Sequence, residues 1–141
     1  RFRETLSALA FLFMNEAEAR TLTGAAPEDP ADWPKVLRMA GLSAGVVTRG
    51  GRGVVAFDAA GAALVVPPDI PALGDVTGAG DSLASGFLSA TLGGAGIGAA
   101  LRHGVAAAVI TVRSPLAVAE EMSQAALADA LSLVPQAKIL S

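Results

Sequence analysis

The sequence predicts an α/β layered fold, a sheet with helices packed on it. Three observations carry this. Short apolar runs such as "ALAFLFM" (8–14) and "AGVVTR" (44–49) have the length and composition of strands buried on both faces. Segments with helix-start and helix-stop residues stand between them. Strands alternating with helices are the pattern of layered α/β domains. With 141 residues, 52% of them hydrophobic and 16% charged, the chain suffices for one domain with a real core.

Each element follows in order. The first strand ends at 14, and Asn15 is placed to cap a helix over "EAEARTL", which Gly24 stops. "DPADWPKVLRMAG" (29–41) reads as a second helix, with Asp32 as its cap and Gly41 as its end. After the strand at 44–49, "GGRG" breaks the run. "GVVAFD" and "AALVVP", separated by "AAG", then read as a β-hairpin. Pro67, Pro68 and Pro71 impose an extended loop up to Gly74. A helix over about 80–92, a glycine turn and an alanine-rich helix over about 97–109 come next. The small residues of the latter suit close packing against a sheet. Ser123 caps a last amphipathic helix at 123–134.

Composition excludes several functions. Ten basic against 13 acidic residues give a net charge of -3, with no basic footprint for nucleic acid. Cysteine is absent, so disulfides and thiolate metal sites are ruled out, and a reducing compartment fits. The first twenty residues show no signal-peptide cleavage pattern. Ser82–Leu101 carries no charge and is long enough to span a bilayer, but "TLGGAGIG" sets four glycines in its second half. It reads as two buried helices joined by a turn. A soluble, cytoplasmic protein is expected.

The chemistry concentrates in "GDVTGAGDSLASG" (74–86), which sets an acid on each side of Thr-Gly-Ala-Gly directly before a helix. Glycines at a helix start let backbone N–H groups converge, and the helix dipole adds partial positive charge there. Such a corner suits an oxyanion or a phosphoryl group in flight. A carboxylate beside it repels phosphate, so its useful role is that of a general base, and Asp81 stands there. Asp75 and Thr77 offer oxygens that could hold a monovalent cation or shape the turn. "TRGGRG" (48–53) follows a strand as a second flexible turn able to wrap phosphates. "NEAE" sets Asn15 and Glu18 on one face of a first helical turn, where an amide and an acid could orient Mg2+-bound water. Each piece also has a plain structural reading: a helix cap at Asp81, a glycine-rich β-turn, and a capping box at Asn15–Glu18.

The three motifs in this order resemble the PfkB (ribokinase-like) carbohydrate and nucleoside kinases, which carry N-x-x-E, T-x-G-x-x-G and D-T-x-G-A-G-D. Here they stand as Asn15-Glu16-Ala17-Glu18, Thr48-Arg-Gly-Gly-Arg-Gly53 and Asp75-Val-Thr-Gly-Ala-Gly-Asp81, departing from the last pattern only at Val76. The resemblance implies a ribokinase-like layered sheet with helices on both faces, of which residues 1–141 match the C-terminal half. The family's first strands, sugar-contacting residues and β-sheet lid have no counterpart here. Residues 1–141 would therefore be the ATP-binding and catalytic part of a kinase domain, inactive alone.

By this resemblance the chain is a transferase using ATP and Mg2+. Asp81 is the catalytic base, and the amides of Gly78, Ala79 and Gly80 form the anion hole. Asn15 and Glu18 position Mg2+ and phosphate, Glu18 through water. Thr48, Gly50, Gly51 and Gly53 line the ATP phosphates, and Val105 neighbours adenine. Members that bind K+ use the segment matching Asp75 and Thr77 with a later loop, here represented by Ser114. "SPLAV" departs from the ribokinase version of that loop. His103, the sole histidine, is structural or peripheral. The tail "AAVITVRSPLAVAEEMS" is similar to the pseudouridine kinase branch. The implied partner is a small-molecule sugar or nucleoside, not nucleic acid or membrane, and a homodimer of the full-length protein is compatible. The alternative from another class is a non-catalytic nucleotide-binding or regulatory module, against which the intact Asp81 speaks. A dinucleotide-binding oxidoreductase lacks its G-x-G-x-x-G here, and a vitamin-type kinase of the same superfamily would show G-T-G-D.

Overall fold

The computed structural model describes residues 11–49, 52–67, 77–113 and 124–140. Along the chain run β1 (Leu12–Asn15), α1 (Glu16–Thr23), a 3-10 turn (Pro30–Asp32), α2 (Trp33–Met39), β2 (Gly45–Thr48), β3 (Val54–Phe57) and β4 (Ala62–Val65). They are followed by α3 (Thr77–Leu92), α4 (Ile97–Arg113), α5 (Gln124–Leu133) and β5 (Lys138–Leu140). The strands form one sheet in the order β1-β2-β3-β4-β5. β1 and β2 are parallel, with Asn15 beside Thr48, and each further pair is antiparallel.

Helices cover both faces, as expected, because neighbouring strand residues point to opposite sides. Val46, Val54, Ala56, Ala63 and Val65 pack with Leu83 and Phe87 of α3 and Leu101, Val105 and Val109 of α4. The alternate residues Val47, Val55, Phe57 and Ala62 pack with Ala19 of α1 and Trp33 and Leu37 of α2. The hairpin turn is closed by Asp58, whose Oδ1 accepts from the N–H groups of Ala60 and Gly61 at 2.8 and 3.0 Å.

Close approach of α3 and α4 depends on two glycines. A Cβ at Gly86 would lie 2.9 Å from the Ala107 Cβ, and one at Gly104 only 2.7 Å from the Leu83 carbonyl oxygen. Phe87 then stacks edge-on against Phe11 and Phe13, with centroids 5.1 and 5.7 Å away, which fixes α3 over β1.

Four details differ from the sequence expectations. Asp32 makes no side-chain cap bond, since its backbone is already helical. Asp29 caps instead, accepting from the Ala31 N–H at 3.0 Å and opening the 3-10 turn that Pro30 favours. The helix placed at about 80–92 begins at Thr77, so the glycine motif is wound into its first turn. The alanine-rich helix runs on to Arg113, and the short strand β5, unforeseen, pairs with β4. Residues 8–10, Pro68, Pro71, Gly74 and Ser123 lie outside the described residues.

Candidate active site

The site is built at the ends of the two parallel strands. Asn15 closes β1 and Thr48 closes β2, and the register sets them side by side. Asn15 Oδ1 accepts from the Glu18 N–H at 2.8 Å, and Glu18 Oε1 accepts from the Asn15 N–H at 2.9 Å. The capping box is therefore formed, and it holds an exposed amide and carboxylate in fixed geometry at the mouth of a cavity of about 470 Å3. Past Thr48 the chain turns sharply: the Arg49 N–H donates to the Gly53 carbonyl at 3.0 Å. Gly53 has φ +125°, and a Cβ there would meet Leu64 Cδ1 at 2.9 Å. The positive φ is what favours glycine at this position, and Gly53 itself is buried. Gly50 and Gly51 lie outside the described residues.

A charged network, which the sequence reading missed, joins the two strand ends. Glu16 Oε2 accepts from Arg49 Nε at 2.9 Å and from Trp33 Nε1 at 3.3 Å. Arg20 and Arg52 reach Glu16 Oε1 at 3.4 and 3.6 Å. Burial pushes the Glu16 carboxyl up, but its hydrogen bonds to Arg49 and Trp33 and the charges of Arg49 and Arg20 outweigh burial and hold it below its ordinary value. The available signal was Arg49 itself: a cation directly after an apolar strand needs a buried acceptor.

The third motif opens α3. Gly78, Ala79 and Gly80 lie in its first turn, and Asp81 follows with an exposed side chain. The helix is oriented by its neighbours. Gly98, at the start of α4, packs near Ala63 at the start of β4, and α4 then continues along β4 and β3. Because β3 and β4 are antiparallel, the end of α4 lies toward Val65 and Val54, the latter paired with Thr48. At that end Thr111 hydrogen-bonds Ser82, and α3 runs back antiparallel, with Gly86 against Ala107. Hence α3 begins toward the edge where β1 and β2 end. The Thr111 hydroxyl also donates to the Ala107 carbonyl at 3.1 Å, leaving Ser82 as the donor to Thr111. This relay pins the turn that follows Asp81.

One expected role fails. Val105 is 1% exposed and belongs to the core between α4 and the sheet, so it offers packing and no surface to a ligand. His103 is half-buried and, with Asp81, Ser85, Ser89, Leu127 and Leu131, lines a groove of about 920 Å3 between α3, α4 and α5. Asp75 and Ser114 lie outside the described residues, and Thr77 is described as the first residue of α3. No group of three His, Asp or Glu able to hold a metal occurs among the described residues. The exposed Glu18 carboxylate, held by the Asn15 N–H, fits the single-carboxylate support of a Mg2+ carried by phosphates and water. Among the described residues no helix is long and apolar enough to cross a membrane.

Comparison with known proteins bears on this arrangement. Residues 1–124 match the pfkB family carbohydrate kinases. The chain belongs to that family. A carbohydrate kinase from Agrobacterium tumefaciens is 50% identical, with a TM-score of 0.80 over 99% of this chain and 44% of that one. Cytidine kinase of Thermococcus kodakarensis is 39% identical over 88 residues, 62% of this chain and 31% of that protein. The Arabidopsis thaliana ribokinase superposes with a TM-score of 0.74 at 24% identity, covering 92% of this chain and 43% of that one, which establishes the ribokinase-like fold. The chain thus spans less than half the length of these pfkB relatives.

Proposed function

We propose that this chain is the C-terminal, nucleotide-binding and catalytic part of a kinase that transfers phosphate from ATP to a hydroxyl of a sugar or nucleoside. The observation that carries this reading is convergence. Asn15 and Thr48 stand at the carboxyl ends of adjacent parallel strands, and Glu18 is tied to Asn15 from the first turn of α1. We read the antiparallel packing of α3 on α4 as starting the helix that bears Asp81 toward the same end. Open α/β sheets bind ligands outside such strand ends.

In this reading Asp81 takes the proton from the acceptor hydroxyl as it attacks. The amides of Gly78, Ala79 and Gly80, at the positive end of α3, donate to the oxygens of the transferring phosphoryl group. Thr48, Gly50, Gly51 and Gly53 line the donor phosphates, and Asn15 and Glu18 orient the water around Mg2+. Bound ATP with Mg2+ supplies the phosphoryl group and screens its charge. A K+ contact at Asp75, Thr77 and Ser114 belongs to the same proposal. Residues 1–141 alone are expected to be inactive, lacking the family's sugar-contacting strands and lid.

For the acceptor, similarity to a cytidine kinase and the tail pattern "AAVITVRSPLAVAEEMS" both favour a pyrimidine nucleoside, with pseudouridine in front. The test is ADP release by the full gene product with ATP and Mg2+, offered pseudouridine, cytidine, ribose, fructose and adenosine in parallel. Selective turnover of pseudouridine supports the whole reading. Turnover of another acceptor keeps the mechanism and discards the tail pattern. Nucleotide binding without turnover of any acceptor favours a regulatory module.

A further inference from the structure

The strongest feature outside the three motifs is the Glu16 network. Glu16 and Arg49 are the residues directly after the register pair Asn15–Thr48, so their ion pair spans the ends of both parallel strands. The Arg49 side chain is 4% exposed and that of Glu16 14%, which makes this a nearly buried contact, not a surface one. Arg49 is tied to the turn from both directions. Its Nη1 donates to the Arg52 carbonyl at 3.4 Å, and the Arg52 N–H donates to the Arg49 carbonyl at 3.2 Å. Trp33, fully buried, holds the same Glu16 oxygen from the helix layer below.

We propose that Glu16 is a positioning residue for the donor phosphates: through Arg49 it fixes Thr48, Arg52 and Gly53 against the Asn15–Glu18 corner. This rests on reading that edge as the nucleotide site. Glu16 does not touch the donor in this account, because both of its oxygens are spent on guanidinium and indole groups. It sets instead where the half-buried Thr48 hydroxyl and the backbone of Arg49, Arg52 and Gly53 stand. Charge supports the assignment. Three guanidiniums surround one carboxylate, leaving two positive charges in excess, and one remains after the neighbouring Glu18 is counted. Arg20 and Arg52 are 50% and 66% exposed, so that excess faces the solvent side where a polyanion would arrive.

The test is steady-state kinetics of the full gene product, varying nucleotide and acceptor separately, for wild type, Glu16→Gln and Arg49→Met. Leu140→Ala, on β5 at the opposite edge of the sheet, controls for destabilisation. Both network variants should raise the nucleotide KM about tenfold, with acceptor KM and kcat within about twofold. Leu140→Ala should lower the melting temperature without changing the ratio of the two KM values. A nucleotide KM within about twofold of wild type, or equal rises in both KM values, overturns the inference. If neither network variant folds, Arg49→Lys decides. It keeps the charge and loses the fork, so about a threefold rise in nucleotide KM supports the inference and no rise rejects it. Wild-type protein that neither binds nor consumes nucleotide overturns the reading of the site and this inference together. Saturable wild type with unmoved variants rejects the inference alone.

Discussion

The molecule organises two neighbouring corners in opposite ways. At the ends of β1 and β2, position is set by charge and hydrogen bonds: a capping box and a carboxylate shared by three arginines and a tryptophan. Between α3 and α4, position is set by shape: two glycines allow near-contact of the backbones, and Phe87 locks α3 onto Phe11 and Phe13. The difference matches what the proposed function asks of each corner. A turn that lines phosphates must hold polar backbone groups in place beside water. A helix start that presents amides and a base needs a rigid rod behind it, and its acid, Asp81, left exposed.

That contrast can be broken from either side. Phe87→Ala should cost the most, about 3–5 kcal/mol by denaturant unfolding, since a fully buried ring joining helix to strand is removed. Gly104→Ala should cost about 1–3 kcal/mol, because the new methyl meets a backbone oxygen that cannot rotate away. Both losses should be insensitive to salt. Asn15→Ala removes the cap of α1 and should cost about 1 kcal/mol, read in the same unfolding experiment. Arg20→Ala, whose side chain is half exposed, should change stability by less than about 0.5 kcal/mol, a loss that shrinks further as salt rises. A large, salt-independent effect at Arg20, or a salt-sensitive one at Gly104, would erase the distinction.

Much of this was legible in the residues because it is local. The Asn15–Glu18 capping box, the left-handed stop at Gly24 and the strand-turn-strand at 53–67 each follow from neighbours within a few positions. Features that depend on long-range register were not. Glu16 meets Arg49 only because β1 pairs in parallel with β2, which no spacing reveals. Val105 sits in a motif that resembles a nucleotide-facing helix, yet the packing of α4 turns it into the core. The glycines of Thr77–Gly80 argue locally for a loop, but tertiary context winds them into helix. β5 escaped notice because three residues with two exposed side chains carry no periodic signal.

The central claim is that Asp81 serves as the base of a phosphoryl transfer at the start of α3. Asp81→Asn in the full gene product, with nucleotide binding and ADP release measured side by side, tests it most directly. The account predicts that turnover falls by about 10^2–10^4 while nucleotide affinity stays within about threefold of wild type. Turnover comparable to wild type, or loss of nucleotide binding in step with activity, would contradict it.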